Sequence, residues 1–213
     1  VYNYVRDGIL EIEYTELPYG KESPRKNKKK ASRSLKNKDG ISIEERDKAI
    51  ENRDCYGHWE MDTVVGGTGK GSSVLLVLTE RHSREEKIIK LPNRKQESVV
   101  KAIDKLENKY GKKKFREKFL TITTDNGVEL IDHKGITKGE RTKMYFAHAY
   151  SSWERGSNEV ANRLIRRFYE KGYNIDEISE KQIIKLENWI NNYPRKILGW
   201  KSTNQFLEDK QIF

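Results

Sequence analysis

"GHWEMDTVVGGTGKGSS", residues 57–73, sets four glycines around Lys70 directly after an apolar alternation. Two readings compete for it: a loop that cradles phosphate, or a turn between strands. A P-loop requires Gly-x-x-x-x-Gly-Lys-[Ser/Thr], but Val64 and Gly71 stand where its first glycine and its hydroxyl belong. The dinucleotide fingerprint Gly-x-Gly-x-x-Gly fails as well, because Ser72 occupies its third glycine position after Gly67 and Gly69. The glycines therefore read as the turn leaving a strand. In that strand, "HWEMDTVV" places Trp59, Met61, Thr63 and Val65 on one face and His58, Glu60, Asp62 and Val64 on the other.

Outward from this strand, "SSVLLVLTERHS" (72–83) and "EEKIIKLP" (85–92) read as two more, giving an antiparallel meander of three. "KQESVVKAIDKLENKYG" (95–111) carries Val99, Ile103, Leu106 and Tyr110 at helical spacing and stops at Gly111. "FLTITTDNG" (119–127) is a fourth strand closed by Asn-Gly, and "KMYFAHAY" (143–150) a fifth. A long helix is expected after it to about Lys171, and another over about 179–193. Strands first, then strands alternating with helices, predict an α/β fold. Its mixed five-stranded sheet, the first three strands antiparallel, is flanked by helices.

The formal charge of +10 favours a polyanionic partner, nucleic acid before membrane. One cysteine, Cys55, excludes an internal disulfide, and the four histidines lack cysteine partners at zinc spacing. No apolar run reaches membrane-spanning length, so a cytoplasmic protein is expected. The charge is concentrated. Residues 21–38 hold nine basic groups, Lys28, Lys29 and Lys30 among them, against Glu22 alone. Such a stretch cannot support its own ordering, so it reads as a linker able to contact DNA phosphates or simply to be solvated. "ISIEERDKAIENR" (41–53) reads as a short helix closing a 21–53 linker segment, and the folded core is expected over 54–213. "VYNYVRDGIL", over 1–10, reads as the tail of a helix whose beginning lies upstream of this chain.

Three acids stand out, each with an ordinary explanation. Asp62 lies mid-strand, where Asp is a poor former, unless that face is solvated. Asp125 ends the fourth strand, where Asp-Asn-Gly is also a common turn. Glu159, in "YSSWERGSNEVANRLIRRFYEK", shares a helix face with Asn162, Arg163 and Arg166, and a Glu159–Arg163 pair would explain it. Asn158 and Asn126 adjoin two of the acids, where a cap and a turn account for them. Glu60 shares Asp62's face and reads as an auxiliary ligand or, preferably, a partner for a nearby Lys or Arg. Trp153 and Trp200 read as packing residues.

Together the acids form a pattern. An acid in the first strand, another ending the fourth and a third on the next helix, with 33 residues between Asp125 and Glu159, resemble the DDE transposases and integrases of the ribonuclease-H-like fold. Four stretches are similar, in the same order, to the IS-thirty family of insertion-sequence transposases. They are "GHWEMDTVVG", "TTDNGVEL", "YFAHAYSSWERGSNE" and "NNYPRKILGWKSTNQF", over roughly residues 53–208. Val160 stands where that family usually has Asn, and Leu130 where it has Phe.

The resemblance implies that Asp62, Asp125 and Glu159 are the catalytic, metal-binding acids. It implies two Mg²⁺ ions, with Mn²⁺ able to substitute, for cleavage and strand transfer at insertion-sequence ends. Its partners would be double-stranded DNA and a second copy of the chain, and its place the bacterial nucleoid. Residues 1–20 would end an N-terminal helix-turn-helix region. Lys70, Arg163 and Arg166, with Lys28–Lys30, are candidate DNA contacts. A ribonuclease-H-like nuclease without joining activity, or an inactive DNA-binding remnant marked by Val160, are the alternatives.

Overall fold

The computed structural model of the chain describes residues 4–5, 7–12, 40–67, 71–125, 127, 130, 132–148 and 156–212. The chain divides into two compact units, Val1–Arg33 and Ser34–Phe213. Of the first unit, a short turn is described, in which the Ile9 N–H donates to the Tyr4 carbonyl at 2.8 Å. Lys28, Lys29, Lys30, Lys70, Asn126 and Trp153 lie outside the described residues.

The second unit is built on one mixed sheet. Its strands are β1 (Ile41–Ser42), β2 (His58–Val65), β3 (Val74–Glu80), β4 (Glu86–Leu91), β5 (Thr121–Thr124) and β6 (Lys143–Phe146). Their order is β1-β6-β5-β2-β3-β4. The β2-β3 and β3-β4 pairs are antiparallel, as the meander predicts, and the β2-β5, β5-β6 and β6-β1 pairs are parallel. The helices are α1 (Lys48–Glu51), α2 (Gln96–Tyr110), α3 (Lys112–Lys118), α4 (His133–Ile136), α5 (Gly156–Ile165), α6 (Glu180–Asn192) and α7 (Thr203–Asp209). None of the described helices is long and apolar enough to cross a membrane.

Two expectations need correction. The sheet has six strands, not five, because Ile41 and Ser42 pair with Tyr145 and Phe146 along the outer edge of β6. Two residues are too few to show a period in sequence, and Ser42 at once caps a 3₁₀ turn over Ile43–Glu45. The helix carrying Glu159 ends at Ile165 rather than near Lys171. There the Arg166 guanidinium donates to the carbonyls of Tyr169 (3.5 Å), Glu170 (3.2 Å) and Val65 (2.7 Å), folding the chain back onto the end of β2.

Helices cover both faces of the sheet, so β3 is buried along its whole length. On one face Trp59, Met61, Leu76 and Leu78 pack with Ile103, Phe115 and Phe119. Trp59 stacks on Phe119 at 4.6 Å, and its indole N–H donates to the Lys118 carbonyl at 2.7 Å. On the other face Val64, Leu75 and Val77 meet Leu164 and Ile165 of α5 and Ile183, Leu186 and Ile190 of α6. A capping box of Ser179 and Gln182 starts α6. The glycine turn after β2 lies against this second layer. A Cβ on Gly66 would come within 2.7 Å of the Tyr173 carbonyl oxygen, and one on Gly67 within 2.5 Å of that of Gly172. These two glycines admit close backbone packing rather than a ligand.

Glu86 gives the fold a pH dependence. Its side chain is buried, accepts from the Thr79 hydroxyl at 2.7 Å and lies 3.9 Å from Arg195. Burial raises its pKa well above the usual carboxylate range, outweighing the Thr79 hydrogen bond and the Arg195 charge. The folded protein then keeps a proton that the unfolded chain releases near pH ~4.3, so stability falls as pH rises above that value. Glu86→Gln is expected to remove this loss. As pH rises above about 4, the parent's melting temperature should fall relative to the variant's; parallel curves would contradict the assignment.

Candidate active site

Alternation along β2 turns Glu60 and Asp62 toward the α5 side of the sheet, opposite the Trp59–Met61 core. Both faces are covered, so the solvated-face explanation of this strand does not hold: Glu60 is 0% exposed. Asp62 is half-buried. Its Oδ1 accepts from the Thr63 N–H and its Oδ2 from the Asn162 side-chain amide, each at 2.8 Å.

Asp125 arrives by strand pairing. β2 and β5 run parallel with His58 opposite Thr121, Trp59 opposite Ile122 and Glu60 opposite Thr123. The Thr124 hydroxyl then donates to the Met61 carbonyl at 3.2 Å. Asp125 follows the last residue of β5 directly, two positions beyond the last paired residue, so the register directs the chain there toward the Asp62 end of β2. The turn explanation of Asp125 also holds, since its Oδ1 accepts from the Gly127 N–H at 2.9 Å. One residue serves both purposes.

Glu159 lies in the first turn of α5 and is exposed. Three residues on, Asn162 touches Asp62, and positions i and i+3 share a helix face. The structure thus places Glu159 one turn from the residue that grips Asp62. The Glu159–Arg163 pair is not formed: both side chains are exposed and neither has an ion pair among the described residues. Val160 is also exposed, at 43%, whereas Leu130 belongs to the core.

The carboxylates offer hard oxygen donors, the kind that Mg²⁺ and Mn²⁺ prefer. Asp62, Asp125 and Glu159 each supply donors of that kind. Among the described residues no three His, Cys, Asp or Glu side chains are gathered closely enough to hold a metal.

The two arginines expected at DNA differ in setting. Arg163 is exposed, whereas the Arg166 guanidinium is engaged with its three carbonyls. Trp200, expected to pack, is 69% exposed. Asn158, beside Glu159, is buried, and its side-chain amide has no hydrogen-bond partner among the described residues.

Four residues around the acids carry more of the arrangement than their sequence signals suggest. Glu60 accepts from Arg81 at 3.1 Å and from the backbone N–H groups of Ser157 and Asn158 at 3.0 and 3.1 Å. It is therefore an arginine partner, as preferred from sequence, and both of its oxygens are occupied. Asn162 was visible only as a neighbour of Glu159 at helical spacing. Arg81, directly after the apolar β3, is buried with side-chain exposure of 2% and also reaches Glu51 at 3.4 Å. Arg84 donates to the Ser157 hydroxyl. Burial, helped by the charge of Arg53, pulls the Arg84 guanidinium down to about 10, while Glu60 opposes the shift.

Residues 53–155 match the integrase core domain family. The chain is 38% identical over 208 residues to a probable transposase for the insertion-like sequence element IS1161 of Streptococcus salivarius. That match takes in 98% of this chain and 57% of the relative. It is 30% identical over 208 residues to the transposase InsI for insertion sequence element IS30A of Escherichia coli (strain K12), covering 93% of this chain and 50% of that one. The chain thus spans 57% and 50% of the lengths of these two relatives. Among solved structures, the catalytic core domain of BIV integrase superposes with a TM-score of 0.53 at 19% identity, covering 74% of this chain and 97% of that one. This likeness concerns the fold, which is that of an integrase catalytic core, ribonuclease-H-like in architecture. With the motif order, these matches make the chain an integrase-core protein similar to the insertion-sequence transposases of IS1161 and IS30A.

Proposed function

We propose that this chain is the catalytic core of a DNA transposase that cuts and joins strands at insertion-sequence ends. The observation that carries the reading is the β2-β5 register, which directs Asp125 toward the Asp62 end of β2, under a helix that holds Glu159. Similarity to these transposases and to the integrase core implies dependence on a divalent metal. Within that dependence we assign two Mg²⁺ ions, replaceable by Mn²⁺, to Asp62, Asp125 and Glu159. When bound, such ions supply an activated water or 3′-hydroxyl and neutralise charge on the leaving 3′-oxygen.

The protein's part is to hold oxygen donors in place. Asn162 and the Thr63 N–H orient the Asp62 carboxylate, and the Asp125 turn does the same for its partner acid. Glu159, which has no ion pair among the described residues, would supply the third set of donors. Cys55 is exposed, and the arrangement needs no covalent protein intermediate. Double-stranded DNA is the partner, at the element's ends and at the target. Joining two ends calls for at least two copies of the chain, acting at the nucleoid.

Arg163 is the DNA-phosphate contact on this helix, with Lys70 and Lys28–Lys30 as further candidates. Arg166 instead supports the fold. Arg163→Ala is expected to lower the log–log salt slope of DNA binding by about 1 with the melting temperature unchanged. Arg166→Ala is expected to leave the slope alone and cost roughly 1–2 kcal/mol in urea unfolding. Equal effects on the slope would remove this division of labour.

The test of the whole reading is incubation with labelled element-end DNA in Mg²⁺, Mn²⁺ or EDTA. Nicked and joined products in either metal, and none in EDTA, are expected. Nicking without joining would favour the nuclease alternative. Binding without any cleavage would favour the inactive one.

A further inference from the structure

Glu60 lies two residues before Asp62 and does not reach the reaction, yet its carboxylate is fully buried. A buried charge is costly unless compensated. Here the compensation comes from two directions. Arg81 donates to Oε1 at 3.1 Å, and the Ser157 and Asn158 N–H groups donate to Oε2 at 3.0 and 3.1 Å. Those N–H groups belong to the first turn of α5, where the helix leaves donors unpaired and its dipole favours an anion. The residue that answers them sits on another element, 97 and 98 positions away in sequence.

We propose that Glu60 is a positioning residue for Glu159. The helix is pinned to the strand at two points: Asn158 to Glu60, and Asn162 to Asp62. Along the helix these points are four residues apart, about 6 Å at 1.5 Å per residue. Along the strand they are two residues apart, about 6.6 Å at roughly 3.3 Å per residue. The spans match, so α5 runs alongside β2 with both its translation and its rotation fixed. Glu159 falls between the two pins. The Arg84 contact to the Ser157 hydroxyl adds a third hold at the same end, and Glu51, bonded to both Arg46 and Arg81, steadies the arginine behind Glu60. This role rests on Glu159 being the third acid of the proposed site.

The experiment compares the parent with Glu60→Gln, which keeps the shape and removes the charge. Amide exchange followed by mass spectrometry on the segment 156–165 reads the docking itself. Single-turnover nicking of element-end DNA in Mn²⁺ reads its consequence. The variant is expected to lose protection in 156–165 by about tenfold or more while 96–110 and 180–192 keep theirs. Its kcat should drop by roughly 10- to 100-fold, as for residues that orient metal ligands, with KM for DNA unchanged. If Glu60→Gln does not fold, Glu60→Asp, which retains the charge for Arg81 but is too short for α5, carries the same measurements. Unchanged exchange in 156–165 would overturn the docking. Freed exchange with parental kcat would overturn the positioning role alone. A parent that cuts nothing in Mn²⁺ would overturn the catalytic half together with the transposase reading, and the exchange data would still decide whether Glu60 docks the helix.

Discussion

Asp62→Asn should abolish metal-dependent nicking, with a loss of about 10³-fold or more in single-turnover rate, which corresponds to roughly 4 kcal/mol of barrier. The substitution is nearly isosteric. Asn keeps a carbonyl oxygen that can accept from the Thr63 N–H or from the Asn162 amide, so the packing of α5 on β2 should survive. What it removes is the negative charge of the carboxylate, which a hard divalent cation needs. DNA affinity measured without metal should be unchanged, because the proposed phosphate contacts are exposed basic groups such as Arg163, and carboxylates do not bind phosphate without a cation. Asp125→Asn and Glu159→Gln should behave alike. If any of the three variants nicked at the parental rate, that residue would leave the site. If all three lost DNA binding as well, the effect would be structural.

Arg81→Met should destabilise the fold by about 3–5 kcal/mol, the usual result of stranding a buried charge. Arg81 and Glu60 have side-chain exposures of 2% and 0%, so solvent does little to screen their interaction. Methionine fills much of the volume but leaves the Glu60 Oε1 without its donor. The two α5 N–H groups alone must then support the carboxylate. Urea unfolding reads the loss directly. Combining Arg81→Met with Glu60→Gln should cost less than the sum of the two single changes, because no uncompensated charge remains. Strict additivity would mean that the two groups do not sense one another.

The legible parts of this protein were those written in local pattern. The alternation of β2, the apolar run of β3, the helical spacing of α2 and the Ser179 start of α6 all appear in short windows, and the structure has each of them. β1 escaped notice because two residues carry no period. The early end of α5 escaped because Arg166 reads as a surface charge, while its acceptors lie in the following turn and on Val65. α3 and α7 also lay hidden. The seven residues of α3 are mostly lysine and other charged groups, and α7 is equally short.

The site divides in the same way. Asp62, Asp125 and Glu159 could be singled out as residue types at suggestive positions, but the approach of Asp125 to β2 depends on a parallel β2-β5 pair whose partners lie 63 residues apart in sequence, which no window contains. The contributions of Glu60 and Arg81 are hidden for the same reason. A buried acid is recognised by its partners, and here those are an arginine after β3 and the start of a helix nearly a hundred residues away.

The central claim is that three acids on two strands and one helix form a divalent-metal socket. It is tested most directly by Mn²⁺ titration followed by electron paramagnetic resonance, on the chain with element-end DNA. The parent should take up Mn²⁺, and Asp62→Asn, Asp125→Asn and Glu159→Gln should each weaken that uptake by about tenfold or more. Uptake equal to the parent's in all three variants would place the metal elsewhere and contradict the account.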